Sequence, residues 1–574
     1  MPVHRKSTQP IRILVVGGGI AGLATAHRLL NDSRWQKHHI HITLTERKGR
    51  YGGRVKSMSC ENKDDGWYEA GASRVADTHH RVRALARTVG CKEVALPESY
   101  DQRSVMPSTH TRFRHIHKLF VDSHGESALK SVTWWDVLTI VCDAVERNRL
   151  VQRWGFLSVL TQMNAHDFWH YAMPQYLCKM YYTFDGGLQR LTDGLVSGLQ
   201  HQERVELKPS TKVVSVDWVT SSTPEFTVTM QDDRDSSIYH AHHERVYTRT
   251  FDLVFLALPA EALAVMKGLP EAHEHYWTSV TRNRLIRCYA KYNSSAPTIR
   301  SNITRKNRRN RRSLSPASLC RSRVKSSILS KCTTTHAPAW QQISYCDHTH
   351  ADHIYNILRM PDGLAHFKSV VRQTLGEQWA SFDDRDFDVH FWKAGTHSWK
   401  PQLVSDAHYD RALQPDAKIP MFVVGASLSH YQHWMEGALE TVDDAYKKCW
   451  RYAVEWMGLG KKNERARAQV QSSKHTPPFY LHNACANAEQ QYTIEEVCRN
   501  EWVVLDGYVY DIQPILDRHP GGRSVLQMFV GKDISIAYHR IGHSGVARAW
   551  VEEHCKGVLR VDAVEHLGQR RVSR

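Results

Sequence analysis

The chain opens on a doubly wound α/β fold, and three observations predict it. Residues 11 to 16, IRILVV, are a short run of branched apolar side chains, which suits a buried parallel strand. The run leads straight into GGGIAGLATAHRLL, where Gly17, Gly19 and Gly22 form G-x-G-x-x-G and the apolar positions then recur at helical spacing. A second apolar strand, HIHITLTE, ends in Glu46, twenty-four residues after Gly22. Strand, tight turn, helix and acid-ended strand together suit a dinucleotide. One glycine permits the turn, one lets backbone approach a pyrophosphate, and one lets helix pack on strand. The helix N-terminus offers free N–H groups and a positive dipole end to the phosphates, and Glu46 accepts from ribose hydroxyls.

The chain is 574 residues long, about four units at a typical domain size of roughly 150. A composition of 41 % hydrophobic and 24 % charged residues excludes a mostly disordered or collagen-like chain. It contains no apolar run of about 18 residues, and the start, MPVHRKSTQP, is polar. Neither a membrane span nor a secretory signal is expected, and the expected compartment is cytoplasmic. Twelve scattered cysteines without a CxxC pair read as free thiols. The net charge of +17 invites a polyanion partner until it is located. Residues 300–331 carry eleven Arg or Lys and no acid, leaving +6 for the rest. This basic low-complexity insertion reads as a solvated loop, and any nucleic-acid binding is confined to it.

After Glu46 the sequence runs Arg47-Lys48-Gly49-Arg50-Tyr51-Gly52-Gly53-Arg54, giving E-x-x-x-R-x-G-G-R. With the glycine-rich turn, this resembles the FAD-binding fingerprint of the flavin-containing amine oxidase superfamily. The resemblance implies that Arg50, Gly52, Gly53 and Arg54 bind the cofactor, and that Gly71 and Ala72 in WYEAGASRV match a Gly-Ala pair entering the flavin site. FDGGLQRL, 184 to 191, resembles the return to the FAD domain, and Val213 falls where the family makes a backbone contact on the adenine side. FDLVFLALPAEAL, 251 to 263, resembles the apolar strand ending in Ala-x-Pro. The closing segment IPMFVVGASLSHYQHWMEGALET resembles a strand ending at Gly425 followed by a helix that opens around Glu436, Gly437 and Ala438. Here Gly425-Ala426 replaces the usual Gly-Glu, which removes one polar contact unless Ser427 substitutes.

For the reaction itself, the isoalloxazine carries the chemistry and the protein orients substrate. Arg287, in RNRLIRCYAKYN, matches the position where the family brings a lysine near flavin N5. Arginine is permanently charged, so either oxygen reactivity is weak or the substrate carries a carboxylate that Arg287 grips. Trp399 and Trp434, with Trp392 and Tyr431, are aromatic candidates for the substrate slot.

A polar linker at 459–488 precedes a further change of composition. From Tyr492 the chain resembles the cytochrome b5-like haem domain. His519, in His-Pro-Gly-Gly, and His543, twenty-four residues later in Gly-His-Ser, match its two axial ligands. Two imidazole ligands leave no open iron site, so haem b there carries single electrons.

The resemblances imply an α/β doubly wound FAD-binding domain interleaved with an α+β substrate domain, then a small α+β cytochrome b5-like domain. The FAD-binding amine oxidase-like domain spans 11–458, with FAD parts at about 11–100, 184–270 and 402–455 and substrate parts at about 101–183 and 271–401. The haem domain spans 489–562. The implied function is FAD-dependent oxidation of a small-molecule amine, with electrons exchanged between flavin, haem and an external partner. Two alternatives stay open: a desaturase or isomerase of carotenoid- or lipid-like substrates, and a degenerate cofactor scaffold with a nucleic-acid-binding insert.

Overall fold

The computed structural model describes residues 10–59, 67–96, 106–178, 180–220, 224–232, 245–270, 273–292, 340–455, 457–459, 490–505, 508–518, 523–527, 529–534, 538, 551 and 554–559. The basic insertion at 300–331, nearly all of the 459–488 linker, His519 and His543 lie outside them. The chain falls into two compact units, Met1–Arg465 and Ala466–Arg574. Among the described residues no helix is long and apolar enough to cross a membrane.

The first unit is built on the predicted nucleus: strand β1 (Ile11–Val16), helix α1 (Ile20–Asn31) and strand β2 (Ile40–Thr45). Beyond it come helix α2 (His80–Thr88) and strands β3 (Val205–Lys208) and β4 (Leu253–Leu256). A second sheet uses β5 (Val280–Lys291), β6 (Trp340–Asp347) and β7 (Phe387–Trp399), and the chain then returns through β8 (Met421–Val423) and helix α3 (Met435–Glu455). The first sheet runs β8-β4-β1-β2-β3 with every pair parallel. Apart from β1 and β2, adjacent strands come from segments 163 to 240 residues apart, so the nucleotide-type domain is interleaved with what lies between.

β1 occupies the centre of this sheet and is apolar on both faces. Ile13 and Val15 pack with Leu23, Leu29, Phe255, Phe422 and Leu439 on the side of α1 and α3. Leu14 and Val16 point to the other side, into Val213, Val254, Leu256, Trp277 and Trp399. That second layer is capped by an antiparallel sheet of Thr211–Val219, Glu225–Asp232 and Arg245–Phe251.

The intervening residues build two further cores. Helices between Met106 and Gln175 bury Phe113, Phe120, Trp134, Trp154 and Phe168. The antiparallel sheet β6-β5-β7 packs Ile286, Cys288 and Ile343 against the helices His348–Leu358 and Gly363–Leu375.

In the second unit a four-stranded sheet orders Gln491–Tyr492, Cys555–Leu559, Tyr508–Tyr510 and Val503–Leu505. Thr493 and Glu496 form a capping box that starts the helix Ile494–Arg499. Cys91, Cys142, Cys178, Cys288, Cys346, Cys449 and Cys498 carry free thiols, as expected. Cys555 is disulfide-bonded, which corrects the reading of free thiols throughout.

Candidate functional site

The glycine-rich turn separates glycines that packing demands from one that it does not. Gly17 has φ +105, and a Cβ there would stand 2.4 Å from the Ala257 carbonyl oxygen. A Cβ on Gly22 would stand 1.9 Å from the Gly17 carbonyl oxygen, so α1 meets β1 only through glycine. Gly19 differs. Its φ of −77 is ordinary, and a Cβ would find nothing nearer than the Gly53 Cα at 4.0 Å. It is also the N-cap of α1, whose first turn has no side-chain cap. Glu46 is held beside the turn, accepting from the Gly18 N–H and the Lys48 N–H at 2.9 Å each.

The second fingerprint loop closes over the first. The Gly52 N–H donates to the Gly18 carbonyl at 2.8 Å, and Gly19 and Gly52 form a parallel bridge. Arg50 turns its guanidinium inward and donates to the carbonyls of Tyr51, Gly53 and Val55 at 2.8, 2.6 and 3.0 Å. It clamps the loop that presents Gly52 and Gly53. Arg54 reaches the other way, donating to the Gly395 carbonyl on β7 at 3.1 Å. Gly71 lets the next strand approach, since a Cβ there would stand 2.0 Å from the Arg54 carbonyl oxygen, and the Ala72 N–H donates to that same carbonyl.

The closing segment contains a cluster that sequence reading missed. Ser427 lies 3.3 Å from His397 Nδ1, and His397 Nε2 lies 2.7 Å from Glu261. His433, at φ +76, contacts Ser398 at 3.2 Å, and Asn283 donates to Ser398 at 2.9 Å. Burial, with Glu261 opposing and the Arg54 charge assisting, pushes the His397 imidazole below its ordinary range. Burial takes His433 down to about 3, so both rings are neutral at pH 7. Burial alone would raise the Glu261 carboxyl, but the His397 hydrogen bond and the Arg54 charge bring it below its usual range.

The remaining closing-segment calls divide. The Gly425 N–H is taken by Thr441 Oγ1 at 2.8 Å. Gly437 is a packing glycine, its would-be Cβ 2.3 Å from Ser429 Oγ, and Ala438 is buried in the core under the first sheet. Val213 is buried on the opposite face of that sheet. The Glu436 side chain is engaged within the fold. Its carboxylate accepts from the Arg81 and Val82 N–H groups at 3.1 Å each and from the Arg81 guanidinium at 3.2 Å. It therefore stabilises the first turn of α2.

Arg287 is 4 % exposed, on the central strand of the second sheet. Its guanidinium donates to Gln342 Oε1 at 3.1 Å and Ser73 Oγ at 3.0 Å and lies 4.4 Å from the Tyr345 ring centre. Beside it Glu69 is fully buried, accepting from the Leu188 N–H at 2.7 Å and Ser57 Oγ at 2.8 Å. Burial raises the Glu69 carboxyl to about 8 against the opposing bonds and the Arg287 charge. Trp399 corrects its placement in the substrate slot: it is 0 % exposed, with its indole N–H on the Ser429 carbonyl at 3.0 Å. Trp434 is only half-buried and edges against His79 at 4.8 Å, and its indole nitrogen has no hydrogen-bond partner.

In the second unit Ile512 and Leu516 are buried in one apolar cluster, with Leu526, Phe529 and Tyr538 partly buried against it. Among the described residues no group of three or more His, Cys, Asp or Glu is arranged to hold a metal.

Residues 20–153 match the family model "Flavin containing amine oxidoreductase", and residues 493–560 match "Cytochrome b5-like Heme/Steroid binding domain". Cytochrome B5 isoform D of Arabidopsis thaliana is 38 % identical over 71 residues, 12 % of this chain and 51 % of that protein. Cytochrome b5 of Cuscuta reflexa is 41 % identical over 71 residues, 12 % of this chain and 53 % of that protein. The chain thus spans about half the length of these curated relatives. A putrescine oxidase redesigned in its cofactor binding is 14 % identical with a TM-score of 0.53, covering 77 % of this chain and 99 % of that one. That likeness is one of fold. The two family models imply FAD in the first unit and haem in the second.

Proposed function

We propose that this chain, a flavin-containing amine oxidoreductase region followed by a cytochrome b5-like domain, oxidises the C–N bond of an amine and passes the electrons to its haem. FAD, when bound, supplies a two-electron hydride acceptor, and a haem held by His519 and His543 supplies a one-electron carrier that an external one-electron acceptor reoxidises.

The observation that supports this reading most directly is Gly19. It is a glycine with ordinary dihedrals whose Cβ position is open, at the head of a helix with no side-chain cap. A backbone cradle of this kind suits a pyrophosphate. Gly17, Gly22, Gly52 and Gly53 shape the cradle and Arg50 clamps its second loop. Glu46 keeps lone pairs for ribose hydroxyls, and Arg54 brings positive charge to the junction with β7.

Arg287 keeps its charge throughout the cycle, unlike a lysine that exchanges a proton. This favours haem over oxygen as the exit for electrons. The buried group of Arg287, Ser73, Tyr289 and Gln342 is polar, which weighs against a wholly apolar channel for a lipid-like substrate. The test is anaerobic mixing of the FAD- and haem-loaded protein with a panel of amines. Bleaching of oxidised flavin followed by haem reduction is the expected result, and reduction of neither by any amine would overturn the proposal.

A further inference from the structure

The strands of the sheet β8-β4-β1-β2-β3 are all parallel, so their carboxyl ends share one edge. The glycine-rich turn follows β1, and Glu46 follows β2. A dinucleotide with its pyrophosphate on that turn and a ribose on Glu46 has its adenosine on the β2 side, and its ring half extends over β4 and β8. Just past those two strands the chain places Glu261, in the helical turn Ala260–Leu263, and Ser427, in the turn Ala426–Leu428. His397 joins them, and Asn283, Ser398 and His433 form a second line alongside.

Hydrogen-bond roles along the two lines are fixed by what each group can offer. Glu261, held below its usual range, is ionised at pH 7 and can only accept, so His397 Nε2 carries the proton of their 2.7 Å bond. His397 Nδ1 then accepts from the Ser427 hydroxyl. In the second line Asn283 donates to Ser398 at 2.9 Å, so the Ser398 proton needs an acceptor of its own. Ser398 is 0 % exposed, and the acceptor it reaches is His433 Nε2 at 3.2 Å. Burial, with the His397 and Arg54 charges assisting, keeps the His433 ring neutral, so its one proton sits on Nδ1.

That Nδ1–H has no partner within the fold and is not sealed from solvent. His433 and Arg54 are each surrounded by protein yet keep accessible surface, so a recess reaches both. Glu261 and Arg54 are opposite in sign and leave it without net charge. His433 holds its pose two residues before α3 at φ +76, a conformation that L side chains avoid. Strain of this kind persists where the surroundings fix it, and it gathers at sites of function.

We propose that His433 Nδ1–H, positioned by Ser398 and Asn283, donates a hydrogen bond to the ring half of FAD and favours the reduced cofactor by meeting the negative charge that hydride uptake brings. A neutral imidazole stabilises such charge without giving up its proton. The proposal rests on FAD in the first unit and on no choice of substrate.

The test is reduction of the full chain, loaded with FAD and haem, in equilibrium with reference dyes, the flavin and haem bands being followed separately. Titration of the apoprotein with FAD accompanies it. His433→Gly removes the donor and accepts the backbone conformation. It should lower the preference for reduced over oxidised flavin about tenfold or more, a drop of about 30 mV for a two-electron couple. His433→Asn, which tolerates the same conformation and keeps an amide donor, should recover part of that drop. Ser398→Ala, which frees the ring from its fixed tautomer, should give a smaller one. An unchanged flavin potential in folded His433→Gly would overturn the proposal. So would equal losses of affinity for oxidised and reduced FAD, which would assign His433 to packing alone. A wild-type potential in Ser398→Ala would remove the positioning role. The dyes set these potentials without any amine, so failure of the amine-oxidising reading leaves this result standing, and failure of this result leaves that reading intact.

Discussion

Two neighbouring glycines of one motif should respond oppositely to the same substitution. In Gly22→Ala the new methyl lies 1.9 Å from the Gly17 carbonyl oxygen, a backbone atom that no rotamer can move aside. Relief requires α1 to lift from β1, and overpacking of this kind costs about 1–3 kcal/mol or more. In Gly19→Ala the methyl meets nothing nearer than 4.0 Å, and φ of −77 suits alanine. Replacing glycine by alanine at an N-cap costs about 1 kcal/mol or less. Reduced freedom of the unfolded chain returns about 0.4–1 kcal/mol. The apoprotein should therefore melt within a few degrees of wild type. The same methyl would push a pyrophosphate away from the helix N–H groups, and losing one charge-assisted hydrogen bond costs about 1.5–3 kcal/mol. FAD affinity should fall by about 10- to 100-fold. Melting of the apoproteins and quenching of flavin fluorescence on titration read the two effects separately. Wild-type FAD affinity in Gly19→Ala would refute the reasoning, as would a loss of apoprotein stability as large as that of Gly22→Ala.

Other outcomes follow from single side chains. Glu69 has its folded pKa raised from 4.5 to about 8, so its proton is retained in the folded state while the unfolded chain releases it. Stability from this group is full below about pH 4.5 and declines towards pH 8, by up to about 1.4 kcal/mol per unit. Glu69→Gln should flatten that part of the stability profile in denaturant titrations, and an unchanged slope would show that the carboxyl ionises freely. Glu436→Ala removes a buried acceptor from two N–H groups and leaves Arg81 short of a carboxylate, so a loss of about 3–5 kcal/mol is expected in the melting curve. Trp399→Phe should lose about 1 kcal/mol with its bond to the Ser429 carbonyl, whereas Trp434→Phe breaks no hydrogen bond and should alter ligand binding more than melting.

Much of the nucleotide end was legible because its constraints are local. A turn that must admit a helix onto a strand needs glycine at fixed offsets, and both glycine-rich loops occur at those offsets. The strand carrying Arg287 was legible as a strand, and Arg287 is buried on it. Side-chain direction was not legible. Glu436 opens a helix in sequence, but its carboxylate turns to a different helix that begins 356 residues earlier, at His80. Trp399 and Trp434 are equivalent as aromatic letters, and only the layer packed over β4 makes one of them core. The Ser427–His397–Glu261 line joins three segments whose spacing carries no motif, so only folding brings them together.

The most direct measurement is an anaerobic visible spectrum of the full chain loaded with FAD and haem, before and after addition of an amine that reduces the flavin. The expected course is loss of the oxidised flavin band followed by conversion of the haem to its reduced six-coordinate spectrum without added mediator. A flavin that bleaches while the haem stays oxidised, and that regains its oxidised band at once on admission of oxygen, would contradict electron transfer to the haem and leave an ordinary oxidase.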